Sequence, residues 1–364
     1  MRAADFCRWS LALACALTGA LAHAEPPCRV AFDIGSSGVR AGATNSSTVE
    51  RTGIDYLAAL RTGRSLDATL GPTIVALRPA PGAPGCARVG GGFSAWRLAL
   101  QQDAGKLVSN LASIHAVTGV AVLVIPQEVE GSYGYVGARQ LLGSRLATSH
   151  VLDIGGGSLQ VAGERSTYGE ALGQKVWHQH LCTALRNGAA PPCALQPMTA
   201  AELDSARALL ADKLRGIPAA LPGRVTMTAI SRPVTQGVAP AVERLLRQPA
   251  GSKGFTRVEL TNAIGQLAGM TLDDTAARLD IPRNYAAYLL SDMLLVEGLL
   301  DATGGNALQV AELDLTNLPG LLADDTAFRW SGDYGCYLER LARTGLAAYA
   351  SDPATCQKAQ GNPR

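Results

Sequence analysis

Two segments of the chain carry the same short pattern 120 positions apart: Phe32-Asp33-Ile34-Gly35-Ser36-Ser37-Gly38-Val39-Arg40 and Leu152-Asp153-Ile154-Gly155-Gly156-Gly157-Ser158-Leu159-Gln160. Each brings an aliphatic run to an aspartate and continues into small residues. Backbone N–H groups of such residues can turn into a concavity, because little side-chain bulk blocks the approach, and several N–H groups aimed at one point hold an anion. A carboxylate beside them suits a hard cation that bridges to the anion. One such bend alone is an ordinary hairpin. Two in register, each closing a strand, predict bends that face one another as a phosphate clamp.

The elements that must position the bends follow from hydrophobic pattern and turn chemistry. Arg29 to Ala43 predicts a hairpin through Gly35-Ser36-Ser37-Gly38. His150 to Ile154 and Leu159 to Gly163 predict a second, through Gly155-Gly156-Gly157. Between them, Pro79 to Gly92 reads as a Pro/Gly-rich loop, Leu98 to Val117 as a helix, Val120 to Ile125 as a buried strand and Ser132 to Ser144 as a helix. Ala200 to Arg215 is expected to be helical with Thr199 near its cap. Tyr285 to Ala302 is apolar, yet Asp292, Glu297 and Asp301 interrupt it, which predicts a core helix and not a membrane span. This mixed order is an α/β pattern.

The 364 residues are 47% hydrophobic and 17% charged, and 32 basic against 30 acidic residues leave a formal +2. That composition excludes a disordered tail, a collagen-like rod and a coiled coil. Near-neutrality without basic runs also argues against a nucleic-acid binder that gains affinity by counterion release. Residues 1–24 read as an export signal: Arg2 and Arg8, an apolar run from Trp9 to Leu21, and Ala22-His23-Ala24 as a cleavage site. The run is too short to span a bilayer, so a periplasmic or secreted product cleaved after Ala24, with no further membrane association, is expected. Six cysteines remain, Cys28, Cys86, Cys182, Cys193, Cys336 and Cys356, with no CxxC pair. An even number in an exported chain predicts disulfides, and proximity favours Cys182 with Cys193 and Cys336 with Cys356. His178 and His180 alternate like same-face strand residues; with no third ligand nearby they are read as structural or surface residues. Lys is scarce, so phosphate contacts fall mainly to Arg and backbone.

The paired bends resemble the two phosphate motifs of the actin, sugar-kinase and heat-shock-ATPase superfamily. Within it the chain is most similar to the exopolyphosphatase and guanosine pentaphosphate phosphohydrolase family. The carrying residues are Ala31-Phe32-Asp33-Ile34-Gly35-Ser36-Ser37 and Asp153-Ile154-Gly155-Gly156-Gly157-Ser158. Thr118-Gly119-Val120 through Val124-Ile125, then Glu130 and Tyr135-Val136-Gly137, resemble the strand and acidic helix between the motifs. Leu279 to Leu322 resembles the closing helix, strand and turn, so the likeness runs with gaps over residues 29–322.

The resemblance implies an α/β fold of two ribonuclease-H-like (actin-like) domains, 25–126 and 127–322, around a phosphate-binding interdomain cleft. Beyond it, residues 323–364 are expected to form a helical tail whose Trp330, Tyr334 and Tyr337 cap the second domain in preference to covering the cleft. It implies Glu130 as the base that orients or deprotonates water, and Asp33 and Asp153 as holders of Mg²⁺. Phosphate would be held by Ser36, Ser37, Gly38, Arg97, Gly155, Gly156, Gly157 and Ser158. The substrate expected of an exported member is inorganic polyphosphate or another small phosphoanhydride; homodimerisation stays open. Three departures stand out: Gln160 replaces a glutamate, Pro126-Gln127 replaces a Ser-Gly before an acidic pair of which Val129 leaves only Glu130, and Thr226-Met227-Thr228-Ala229-Ile230-Ser231 lacks a glycine pair, which disfavours a purine ligand. The alternative is accordingly a catalytically degenerate member that binds polyphosphate or a protein.

Overall fold

Every residue of Arg29–Ile34 after the first is buried, Asp33 included, and a run buried on both faces belongs in the middle of a sheet. In the computed structural model, which describes residues 28–44, 46–78, 85–311 and 317–356, that is where it lies. The export signal expected over residues 1–24 falls outside the described residues. Strand β1 (Arg29–Ile34) pairs antiparallel with β2 (Gly38–Ala43), and β2 with β3 (Ser46–Gly53). On its other side β1 runs parallel to β4 (Ala87–Gly92), and β4 to β5 (Ala121–Val124). The order is β3-β2-β1-β4-β5.

Strand β4 corrects the later part of the loop expected over Pro79 to Gly92, whose residues 79–84 lie outside the described residues. A Cβ at Gly90 would lie 2.9 Å from Val122 Cγ2, one at Gly91 2.9 Å from the Phe93 ring, and one at Gly92 2.8 Å from Trp96. The glycines are there to let neighbours close on an inner strand. The helix expected over Leu98 to Val117 is two, Ser94–Gln102 and Ala104–Thr118, because the extended Asp103 breaks the first and caps the second by accepting the Lys106 N–H.

The second sheet repeats the first. Strands β6 (His150–Ile154), β7 (Leu159–Gly163) and β8 (Thr167–Glu170) form an antiparallel meander. Strand β9 (Met227–Ala229) runs parallel to β6, and β11 (Ala307–Val310) parallel to β9, with β10 (Gly254–Thr256) at the edge. The order β10-β11-β9-β6-β7-β8 thus contains the first sheet's order reversed, plus one strand. The sequence echo is the trace of a repeated topology.

Helix Gln127–Leu142 follows β5, starts earlier than expected because Pro126 opens it, and packs on β7, β8 and helix Leu318–Ala323. Helix Ala200–Lys213 carries the expected Thr199 cap, completed by Glu202. Helix Arg283–Ala302 is a core helix; Glu297 within it is paired with Arg207. No described helix is long and apolar enough to cross a membrane.

His178 and His180 stand on helix Gln174–Leu185 and not on a strand, so they point apart: His178 is buried against Ser291, His180 exposed. His178 does approach Cys182 and Cys193, but those sulfurs are joined. The disulfides are Cys28–Cys86, Cys182–Cys193 and Cys336–Cys356, the last two as expected.

The tail was expected to cap the second half; it caps the first. Trp330, Tyr334 and Tyr337 lie in the hydrophobic cluster around the first sheet. The Tyr334 hydroxyl donates to Val122 O (2.9 Å), and the Tyr337 oxygen accepts the Val124 N–H (2.8 Å). These groups are on β5, an edge strand whose free backbone positions require partners.

Candidate active site

Both bends are built alike. The Gly35 N–H donates to Gly38 O (3.0 Å), and the Gly155 N–H to Ser158 O (2.8 Å). In register, Asp33 faces Arg40 across the first hairpin and Asp153 faces Gln160 across the second. The second bend is anchored from behind, where the Gln174 and Lys175 N–H groups donate to Gly155 O and Gly156 O (both 2.9 Å). The bends meet: a Cβ at Gly156 would stand 3.1 Å from Ser36 Oγ, and one at Gly157 3.0 Å from Ser94 Oγ.

Between them opens a cavity of about 830 Å³. Of the expected residues, Asp33, Ser36, Ser37, Glu130, Asp153, Gly155, Gly156 and Ser158 line it. Gly38, Gly157 and Arg97 are not among the lining residues. Gly38 belongs to β2, Gly157 is turned against Ser94, and Arg97 lies buried beneath the cavity, bonded to Ile125 O at 2.9 Å. Sequence reasoning missed Arg40, Lys175, Arg232 and Asn317 in the wall. The register of the first hairpin could have supplied Arg40. Asn317, 284 positions from Asp33, left no local signal.

Helix Gln127–Leu142 delivers Glu130. It closes on β7 at Gly131, where a Cβ would lie 3.2 Å from the Ala162 Cβ and 3.3 Å from the Gln160 Cβ. Glu130 Oε2 is 2.7 Å from Arg97 Nη2 and accepts from Gln160 Nε2 at 3.1 Å. Burial pushes the Glu130 carboxyl up, against the pull of Arg97. Burial also raises Asp33, offset by Arg40, whose Nη1 is 3.7 Å away, and by the Asn317 N–H at 3.2 Å. Asp153 is pushed up to about 7, first by burial and then by the charges of Glu130 and Asp33.

Three carboxylates therefore line one cavity, Glu130 beside Arg97, Asp33 beside Arg40 and Asp153 without an ion pair, and a further cation held among them would favour their ionised forms. Among the described residues the Asp153 side chain makes no hydrogen bond or ion pair. The donor set is all oxygen, which fits a hard divalent ion such as Mg²⁺ and not a thiolate- or imidazole-seeking metal.

A family model for Ppx/GppA phosphatases matches residues 103–312. The chain belongs to the Ppx/GppA phosphatase family. Two Ppx/GppA-related structures share its fold. An Aquifex aeolicus family member superposes with a TM-score of 0.58 at 17% identity, over 81% of this chain and 96% of the other. An exopolyphosphatase from Cytophaga hutchinsonii gives 0.54 at 15%, over the same shares. The architecture is thus the two-domain actin-like one. An uncharacterised Streptomyces coelicolor protein is 28% identical over 203 residues, which are 53% of this chain and 57% of that protein, so the match spans little more than half of that relative. The Ppx/GppA match begins after the first bend, so Asp33 is tied to the site by the geometry.

Proposed function

We propose that this protein hydrolyses phosphoanhydride bonds, with inorganic polyphosphate as substrate, outside the cytoplasm. Membership in a phosphatase family and likeness to an exopolyphosphatase support the reaction class. Three disulfides support export. The observation that carries the reading is the convergence of Asp33, Glu130 and Asp153 between two opposed bends.

Phosphoryl transfer to water needs an in-line nucleophile, shielding of the equatorial oxygens and little covalent help. Asp33 and Asp153 would hold Mg²⁺, which when bound neutralises charge on the phosphate oxygens. Ser36, Ser37, Gly156 and Ser158 bind and orient the terminal phosphate. Arg97 and Gln160 both engage Glu130 Oε2, and among the described residues Oε1 has no hydrogen bond, so Oε1 is the atom that takes the proton of the attacking water. As the water oxygen bonds to phosphorus, the bridging P–O bond breaks and the shortened chain leaves with that oxygen.

The second reading, binding without turnover, is favoured by one observation: Gln160 supplies an amide where a third cation-seeking carboxylate would otherwise stand beside Glu130. Phosphate release from polyphosphate, followed with Mg²⁺ and with chelator, tests the proposal. Release that depends on the divalent ion supports hydrolysis. Retention of the polymer with no release favours the binder.

A further inference from the structure

The Ser158 hydroxyl is buried, 3% exposed, and lines the cavity. Its oxygen lies 3.1 Å from Arg97 Nη2 and 3.1 Å from Gln160 Nε2. Arg97 can only donate. Gln160 presents nitrogen on this side because the same Nε2 faces Glu130 Oε2, which already receives Arg97 and would repel a carbonyl oxygen. Both lone pairs of Ser158 Oγ are therefore occupied by N–H donors, and no other described residue takes the hydroxyl proton.

We infer that Gln160 is a positioning residue: together with Arg97 it fixes the Ser158 O–H as a donor aimed into the cavity, toward an oxygen of the bound phosphate. This rests on the phosphate reading of the cavity. A carboxylate at position 160 would reverse the polarity, since it would accept the Ser158 proton itself and withdraw it from the ligand. The amide is then a specificity device and not merely a lost metal ligand: it trades a cation-seeking group for a committed oxyanion donor.

Calorimetric titration with inorganic phosphate tests this without requiring turnover. Gln160→Glu and Ser158→Ala should each weaken phosphate binding about tenfold, the usual worth of a hydrogen bond to a charged group. The double variant should be no weaker than either single one. Gln160→Met removes the donor without adding charge and leaves Arg97 in place, so it should cost only about threefold. It also serves if a second buried carboxylate prevents folding. Unchanged binding in Gln160→Met or Gln160→Glu, or multiplying losses in the double variant, would overturn the assignment. Normal phosphate binding with no polyphosphate hydrolysis would defeat the enzymatic reading and leave this one standing. No phosphate binding by the unsubstituted chain would defeat the cradle and this inference together.

Discussion

Asp153 carries no counter-charge of its own, and its titration is where the site should first be felt in solution. Its carboxyl titrates near 7 when folded, against an ordinary value of 3.8. Between those limits the folded state binds more protons than the unfolded one, so this group's stabilising contribution is full below about pH 4 and lost as pH rises through about 7. Asp153→Asn should flatten that fall in melting temperature measured without divalent ions, and should abolish the rise that Mg²⁺ gives at about pH 8. An unchanged pH slope would show that Asp153 is not the titrating group. Asp33, Glu130 and Asp153 were legible because the repeated motif and the acidic helix are local patterns. The true station of Arg97 was not, since its pairing with Glu130 joins two helices that have a further helix and β5 between them in the chain. Asn317 was beyond reach for the same reason, as contacts over hundreds of residues leave no periodicity.

Elements place these groups through close approaches. A Cβ at Gly320 would stand 2.3 Å from Tyr133 Cα, so helix Leu318–Ala323 lies directly on the helix that carries Glu130. Gly320→Ala should separate the two and cost about 1–3 kcal/mol of stability, read by urea unfolding. A full-stability variant would mean the contact relaxes freely. Residues 150–154 and 159–163 were readable as strands because aliphatic runs flank a glycine turn. Strand β4 was not, because its three glycines imitate a loop while serving packing. The break at Asp103 was readable in principle: aspartate is an N-cap residue type, and it stands inside an otherwise continuous helical pattern.

At the scale of the molecule, the 120-residue echo made the two-fold repetition of the fold legible. The placement of the tail was not, since apolar aromatic residues suit either core. The edge of β5 decides it. Tyr337→Phe removes the acceptor for the buried Val124 N–H and should cost about 1–3 kcal/mol in chemical denaturation. A neutral result would mean water satisfies that edge.

The central claim is that the two bends and Glu130 form one hydrolytic centre. Its most direct test is the rate of phosphate release from inorganic polyphosphate, with Mg²⁺, by the unsubstituted chain and by Glu130→Gln. Loss of a positioned base predicts a fall of about 10²–10⁴-fold with folding and phosphate binding retained. Equal rates in the two proteins would contradict the account.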